Sequence, residues 1–277
     1  MNYQQYQPSR FNVLPTVVKN LIIINGLLLL TTWVLENRFE YDLTNILGLH
    51  YCTSDKFEPY QLITYMFMHG NFTHLLYNMF ALWMFGNVLE NAWGSKRFLI
   101  YYIITALGAA LIQMLFSAFE FHSINNVITS YINTPSVESF QAIVKNHFQP
   151  YLNAPEIQSL IDSWSLHPDD YSYTGQSVKY LEELIQIKKD IPTVGASGAV
   201  FGILLAFGML FPNTMLYVFF AIPIKAKYFV ILYGAIELIS GVANNPGDNV
   251  AHFAHLGGML FGFILIKYWN KKTNKFY

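Results

Sequence analysis

Six stretches of this sequence, 21–35, 74–89, 98–119, 195–211, 228–242 and 252–269, are long, apolar and almost free of charge. Crossing the hydrocarbon of a bilayer takes roughly 17–25 residues of helix. The first run approaches that length by reaching back towards Val17, with Lys19 snorkelling to the interface. The third is interrupted only by Gln113, and the fifth holds one acid, Glu237. Charged residues are 12% of the chain, about half the share of a soluble domain, and the deficit is concentrated in these runs. In hydrocarbon every backbone polar group needs an internal partner, so the spans must be helices or a closed barrel. A barrel would show short alternating strands, which are missing here. The expected fold is therefore all-α: a polytopic membrane protein with six transmembrane helices. The run 215–224 is too short to cross and ends among Pro223, Lys225 and Lys227, so it is expected at the interface.

Between the third and fourth runs lies a polar stretch, 120–190, about as long as a small domain. Apolar residues recur there at steps of three and four: Val137, Phe140, Ile143 and Val144; Ile157, Leu160 and Ile161; Val178, Leu181, Leu184 and Ile185. Each set reads as a short helix with one apolar stripe, and prolines 135, 150, 155 and 168 mark the breaks. Six spans put both termini on one side. With the 90–97 turn, the 212–227 loop and both tails on that side, it holds ten of the sixteen basic residues. Excluding the long insertion, the other side holds Arg38 and Lys56. The positive-inside rule then makes the termini cytoplasmic and the insertion extracytoplasmic. The expected segmentation is a cytoplasmic tail over 1–16, helices one to three with the first extracytoplasmic loop over 17–119, and a helical cap over 120–190. Helices four to six follow over 191–269, and a cytoplasmic tail over 270–277.

No basic stretch interleaved with aromatics suggests nucleic acid. Cys52 is the single cysteine, which excludes an internal disulfide and a multi-cysteine metal site. The start of the chain, polar through Asn12, does not read as a cleavable signal peptide.

Polar groups inside spans are costly and ask for a reason. One cluster is Gly195-Ala196-Ser197-Gly198, opening the fourth span. Small neighbours leave the Ser197 hydroxyl uncovered, and N–H groups without intrahelical partners at a helix start suit a developing oxyanion. The same residues also suit a packing device between helices. A second cluster runs from His69 to Asn78, with His74 and Asn78 four apart and so on one helix face. They offer an imidazole and an amide donor towards one point; interfacial histidines equally serve as caps. The third is Ala251-His252-Phe253-Ala254-His255-Leu256-Gly257-Gly258, opening the sixth span. His255, Gly258 and Gly262 share one stripe, and the last two form a small-xxx-small pair that lets helix backbones approach. A close approach could bring an imidazole to Ser197. All three clusters fall at the same ends of their spans, which three separate packing explanations would not require. A metal held by histidines and Glu237 is the competing use, but no His-Glu-x-x-His is present and Glu237 sits well inside the fifth run, so neither metal nor cofactor is expected.

In this order and on alternate helices, the three clusters resemble the rhomboid family of intramembrane proteases. The Trp93-Gly94-Ser95-Lys96-Arg97-Phe98-Leu99 stretch also resembles that family's turn between helices two and three. The resemblance covers about 57–119 and 192–269. It implies a six-helix rhomboid-like bundle with a Ser–His dyad: Ser197 as nucleophile and His255 as general base. It further implies an oxyanion and substrate-binding group of His74, Asn78 and Gly195 with the Ser197 N–H. No carboxylate is needed to orient His255, and none looks well placed. Phe201 stands where the family often has a tyrosine stacking on the catalytic histidine. Tyr60-Gln61 stands where it often has Trp-Arg, which leaves open how the first loop is anchored. His252, three before His255, is a second candidate base; the register of Gly258 and Gly262 favours His255.

The implied activity is a serine endopeptidase that hydrolyses peptide bonds in or near the transmembrane segments of single-span substrates. The lipid bilayer is its other partner, and a bacterial cytoplasmic membrane its expected location. The alternatives are a catalytically silent relative that binds membrane helices, and a transporter using Glu237, Gln113 and the histidines as a polar path.

Overall fold

A computed structural model describes residues 12–218, 221–243 and 250–273. Residues 1–11 of the tail expected over 1–16, and 274–277 of that expected over 270–277, lie outside the described residues, as does the 244–249 link.

Helix α1 (Thr16–Phe39) starts behind Pro15 with no side-chain cap of its own. Its first donors are satisfied from elsewhere: the Glu90 carboxylate accepts the N–H of Val17 at 3.0 Å and of Val18 at 2.9 Å. A carboxylate there also meets the positive end of the helix dipole. After the short α2 (Leu43–Leu47) and α3 (Gln61–Thr64), α4 (Phe72–Ala81) begins at Asn71, whose side chain accepts the His74 N–H at 2.8 Å. A five-residue π segment (Leu82–Gly86) joins α4 to α5 (Asn87–Trp93). Gly94 turns the chain with φ +79, a region that glycine enters without a Cβ penalty.

Helix α6 (Ser95–Asn133) has 39 residues, about 58 Å at 1.5 Å per residue. It does not break at Glu120: the stripe Phe121, Ile124, Ile128 and Tyr131 continues the helix into a second apolar cluster. That cluster is completed by Phe140, Ile143 and Val144 of α7 (Val137–His147), by Ile157, Leu160, Ile161 and Trp164 of α8 (Pro155–Leu166), and by Leu181, Leu184 and Ile185 of α9 (Ser172–Lys189). The stripes read from spacing are the buried faces. Ties to the rest of the chain include the Leu49–Thr193 bridge and the Ser54 hydroxyl donating to Asp190 at 2.6 Å.

The larger core gathers α10 (Ser197–Leu210), α11 (Ala226–Ala243) and α12 (His252–Thr273) around α6, with α12 packed most extensively on α6 and α10. The segment expected at the interface is an antiparallel hairpin, β1 (Met215–Val218) with β2 (Ile222–Lys225), Met215 opposite Lys225 and Val218 opposite Ile222. This corrects the all-α expectation in one place: the run is too short for a useful helix, and pairing satisfies its backbone instead.

Three of the described helices, α1, α6 and α11, are long and apolar enough to cross a membrane. Only 22% of the apolar window of α1, and the same share of α11, is buried in the protein. Leu27, Leu30 and Trp33 on α1, with Ile231, Leu232 and Ile239 on α11, face outward. Water does not tolerate apolar surface on that scale, whereas hydrocarbon does.

Candidate active site

Ser197 is the first residue of α10, so its N–H lies in the helix turn that lacks intrahelical acceptors. The preceding Gly195 has φ +129, and its N–H donates to the Tyr65 carbonyl at 3.0 Å. This positive-φ entry, which glycine adopts without a Cβ penalty, fixes the direction in which the serine leaves the loop. The Ser197 hydroxyl lies 2.8 Å from Nε2 of His255, which is 58 residues away on α12.

Small residues make that approach possible. A Cβ on Gly258 would stand 1.8 Å from the Gly198 carbonyl oxygen, so the backbones of α10 and α12 touch there. Gly202 likewise faces the Gly258 carbonyl. Gly262 acts elsewhere, making room for the Tyr101 ring of α6, whose hydroxyl would lie 2.3 Å from an added Cβ. The small-residue pair read from the sequence thus serves two neighbours, not one.

Phe201, one turn after Ser197, stacks on His255 with centroids 4.2 Å apart and planes 7° from parallel. It also stacks on Tyr233, at 5.4 Å. His255 is 8% exposed, and the Phe201 ring is one wall of its enclosure.

His74 brings its ring over Gly195. The point where a side chain on Gly195 would begin lies 2.9 Å from His74 Nε2 and 3.5 Å from the Ser197 hydroxyl. One imidazole thus borders the space next to the serine. Asn78 is 6% exposed, and its amide donates to the His74 backbone carbonyl at 3.1 Å, which leaves its second N–H for another acceptor. His69, outside regular helix, packs edge-on to His74 with centroids 5.1 Å apart. It is 2% exposed, and burial, reinforced by His74, lowers its pKa from 6.5 to about 4, so it is neutral at pH 7.

One expectation needs correction: that no carboxylate is well placed to orient His255. Glu237 Oε2 lies 2.8 Å from His255 Nδ1 and 2.6 Å from His252 Nδ1. The sequence marks Glu237 as a costly charge within a span but does not show its partners. The available signal is that such a charge demands a donor, and that His252 and His255 are titratable groups of the adjoining helix. The donor atoms of these three residues all lie within 4.8 Å of one another, so they could in principle gather at a metal. Two ligands of a tetrahedral ion at about 2.1 Å stand roughly 3.4 Å apart. Separations of 2.6 and 2.8 Å are those of groups bonded to each other.

Gln61 settles how the first loop is held. It is 1% exposed; its oxygen accepts the N–H of His50 (3.3 Å) and Glu58 (3.1 Å), and its nitrogen donates to the carbonyls of Ile46 (3.1 Å) and Lys56 (2.9 Å). A neutral amide is the anchor here.

The Rhomboid domain family model matches residues 56–130 and 157–271. An uncharacterized mitochondrial rhomboid protein of Schizosaccharomyces pombe is 26% identical over 225 residues, 76% of this chain and 52% of that protein. The rhomboid protease GlpG of Salmonella newport is 32% identical over 73 residues, 26% of each chain, and that of Salmonella heidelberg matches equally. The matched regions span about half of the first relative and about a quarter of the others. The family match takes in α4, α10, α11 and α12, which carry the serine, the histidines and the glutamate, and this chain is an integral membrane protein of the rhomboid family.

Proposed function

We propose that this chain is an intramembrane serine endopeptidase, hydrolysing peptide bonds in or near the transmembrane segments of single-span membrane proteins. The observation that carries the reading is the 2.8 Å contact between the Ser197 hydroxyl and His255 Nε2. A serine hydroxyl is a poor nucleophile until an adjacent base takes its proton, and this contact is within the range such a transfer needs. Membership of a family that includes proteins named rhomboid protease agrees with it.

In this mechanism Ser197 Oγ attacks the scissile carbonyl carbon while its proton passes to His255 Nε2. The carbonyl oxygen becomes an oxyanion, received by the Ser197 N–H, His74 and the second Asn78 N–H, with Gly195 leaving room for it. His255 then returns the proton to the departing amine. Water, activated by the same imidazole, hydrolyses the acyl-serine.

The six apolar runs are taken as six spans: α1, α4 with α5, α6, α10, α11 and α12. The basic residues favour cytoplasmic termini and an extracytoplasmic insertion over 120–190. Ser197 and His74 lie in the first turns of α10 and α4, and His255 in that of α12. On this topology those ends face outward, where water can reach the acyl-enzyme.

The test uses purified protein in detergent with a reporter transmembrane substrate and a fluorophosphonate probe. Wild type is expected to cleave and to be labelled, and Ser197→Ala to do neither. Folded wild type that neither cleaves nor labels would turn the reading to a catalytically silent helix-binding relative.

A further inference from the structure

We propose that Glu237 is a third member of the catalytic arrangement, a positioning residue that holds His255 in the tautomer and orientation a general base requires. The inference rests on the Ser197–His255 reading above and extends it from two residues to three. Three groups from three helices form one hydrogen-bonded chain: the Ser197 hydroxyl, the His255 ring with Nε2 at 2.8 Å from it, and Glu237 Oε2 at 2.8 Å from the ring's other nitrogen.

A neutral imidazole carries one proton on either nitrogen, and only the form with the proton on Nδ1 has a lone pair to offer the serine. A carboxylate accepts but does not donate. At Nδ1 it selects that form, fixes the ring plane, and stabilises the imidazolium that appears once the serine proton has moved. Phe201 stacked on the ring constrains its tilt but is indifferent to the tautomer. The carboxylate supplies what stacking cannot.

The glutamate side chain is 10% exposed, on a helix apolar and long enough to span a bilayer. A charge there is costly unless bonded, and a purely structural acid could have used any donor. Both partners found are Nδ1 atoms of α12: His255, and His252 at 2.6 Å. His252 bonds the same oxygen from one turn earlier, a second contact that holds the carboxylate in place.

Kinetics on the full chain, normalised by titrating Ser197 with the fluorophosphonate probe, test this. Glu237→Gln keeps the shape and removes the charge. Its kcat is expected to fall roughly a hundredfold to ten-thousandfold, with KM within about twofold and an unchanged unfolding midpoint. Glu237→Asp should recover at least about tenfold of that loss. A glutamine variant within about threefold of wild type, or an aspartate variant no better than glutamine, overturns the proposal. Should the glutamine variant not fold, the wild type answers by itself. In ¹⁵N-histidine spectra the His255 resonance, identified by its loss in His255→Ala, must report the proton on Nδ1; a proton on Nε2 overturns the proposal. Wild type that is inert towards both substrate and probe removes the underlying protease reading instead, which separates the two failures.

Discussion

Phe201 and His255 lie ring on ring, 4.2 Å between centroids and 7° from parallel, although they come from different helices. The stack covers one face of the imidazole and leaves both nitrogens in the ring plane free to meet Ser197 and Glu237. An aromatic pair contributes about 0.5–1.5 kcal/mol beyond its buried area. Phe201→Tyr keeps the pair, so its kcat should stay within about threefold of wild type. Phe201→Leu keeps the apolar volume but loses the stack, and kcat should fall roughly three- to tenfold. A leucine variant as active as wild type would show that the stack does not orient the base.

How far the site is legible in the sequence differs from residue to residue. Ser197 is legible only in part: small neighbours at a span start suit helix packing as well as an exposed hydroxyl, and it is the matching position of the two histidine clusters that singles it out. His255 is legible over His252 because Gly258 shares its stripe, and that glycine does meet the Gly198 backbone. The partners of Glu237 are not legible: they depend on the rotation of α11 against α12, which packing sets and periodicity does not. The length of α6 is hidden for another reason. Polarity rises at Glu120, His122, Asn125 and Asn126, but a helix needs only one apolar face, and Phe121, Ile124 and Ile128 supply it. The hairpin is hidden because a short apolar run with a proline carries no clear period.

Gly195 lends itself to a sharp test. An alanine there must adopt φ +129, and its methyl carbon would start 2.8 Å from His74 Cε1. The imidazole is the group that can yield, and it would move away from the serine. Gly195→Ala is therefore expected to lose roughly a hundredfold or more in kcat, the size of losing one oxyanion donor. Unfolding should shift as well, by about 1–3 kcal/mol, because a side chain at φ +129 is strained whatever room the ring makes. Cleavage at the wild-type rate would rule out a role for His74 next to Ser197.

The four hydrogen bonds of Gln61 predict a stability effect remote from the serine. Gln61→Ala strands two N–H groups and two carbonyls of the first loop, each costing about 1–3 kcal/mol where water cannot replace the partner. A net loss of about 2–4 kcal/mol is expected, read as a lower unfolding midpoint in detergent. Gln61→Glu should be destabilised as well, since a carboxylate cannot donate to Ile46 and Lys56. Equal stability of Gln61→Ala and wild type would mean that the loop is held by other contacts.

His69 sets a pH dependence whose sign follows from its burial. Folding lowers its pKa from 6.5 to about 4, burial being the main cause and His74 the second. Between those two values the unfolded chain holds a proton that the folded chain refuses. Stability from this residue is therefore complete above the unfolded value and is lost as pH falls through the window towards 4, by up to about 1.4 kcal/mol per unit. His69→Gln removes the titration. Chemical or thermal unfolding across pH should give the variant a flatter curve than wild type in that window. Above pH 7 the two should run parallel, with whatever constant offset the lost packing adds. A wild-type curve as flat as the variant's in the acid window would require that His69 accept its proton without unfolding. That is incompatible with an imidazole only 2% exposed beside a second one.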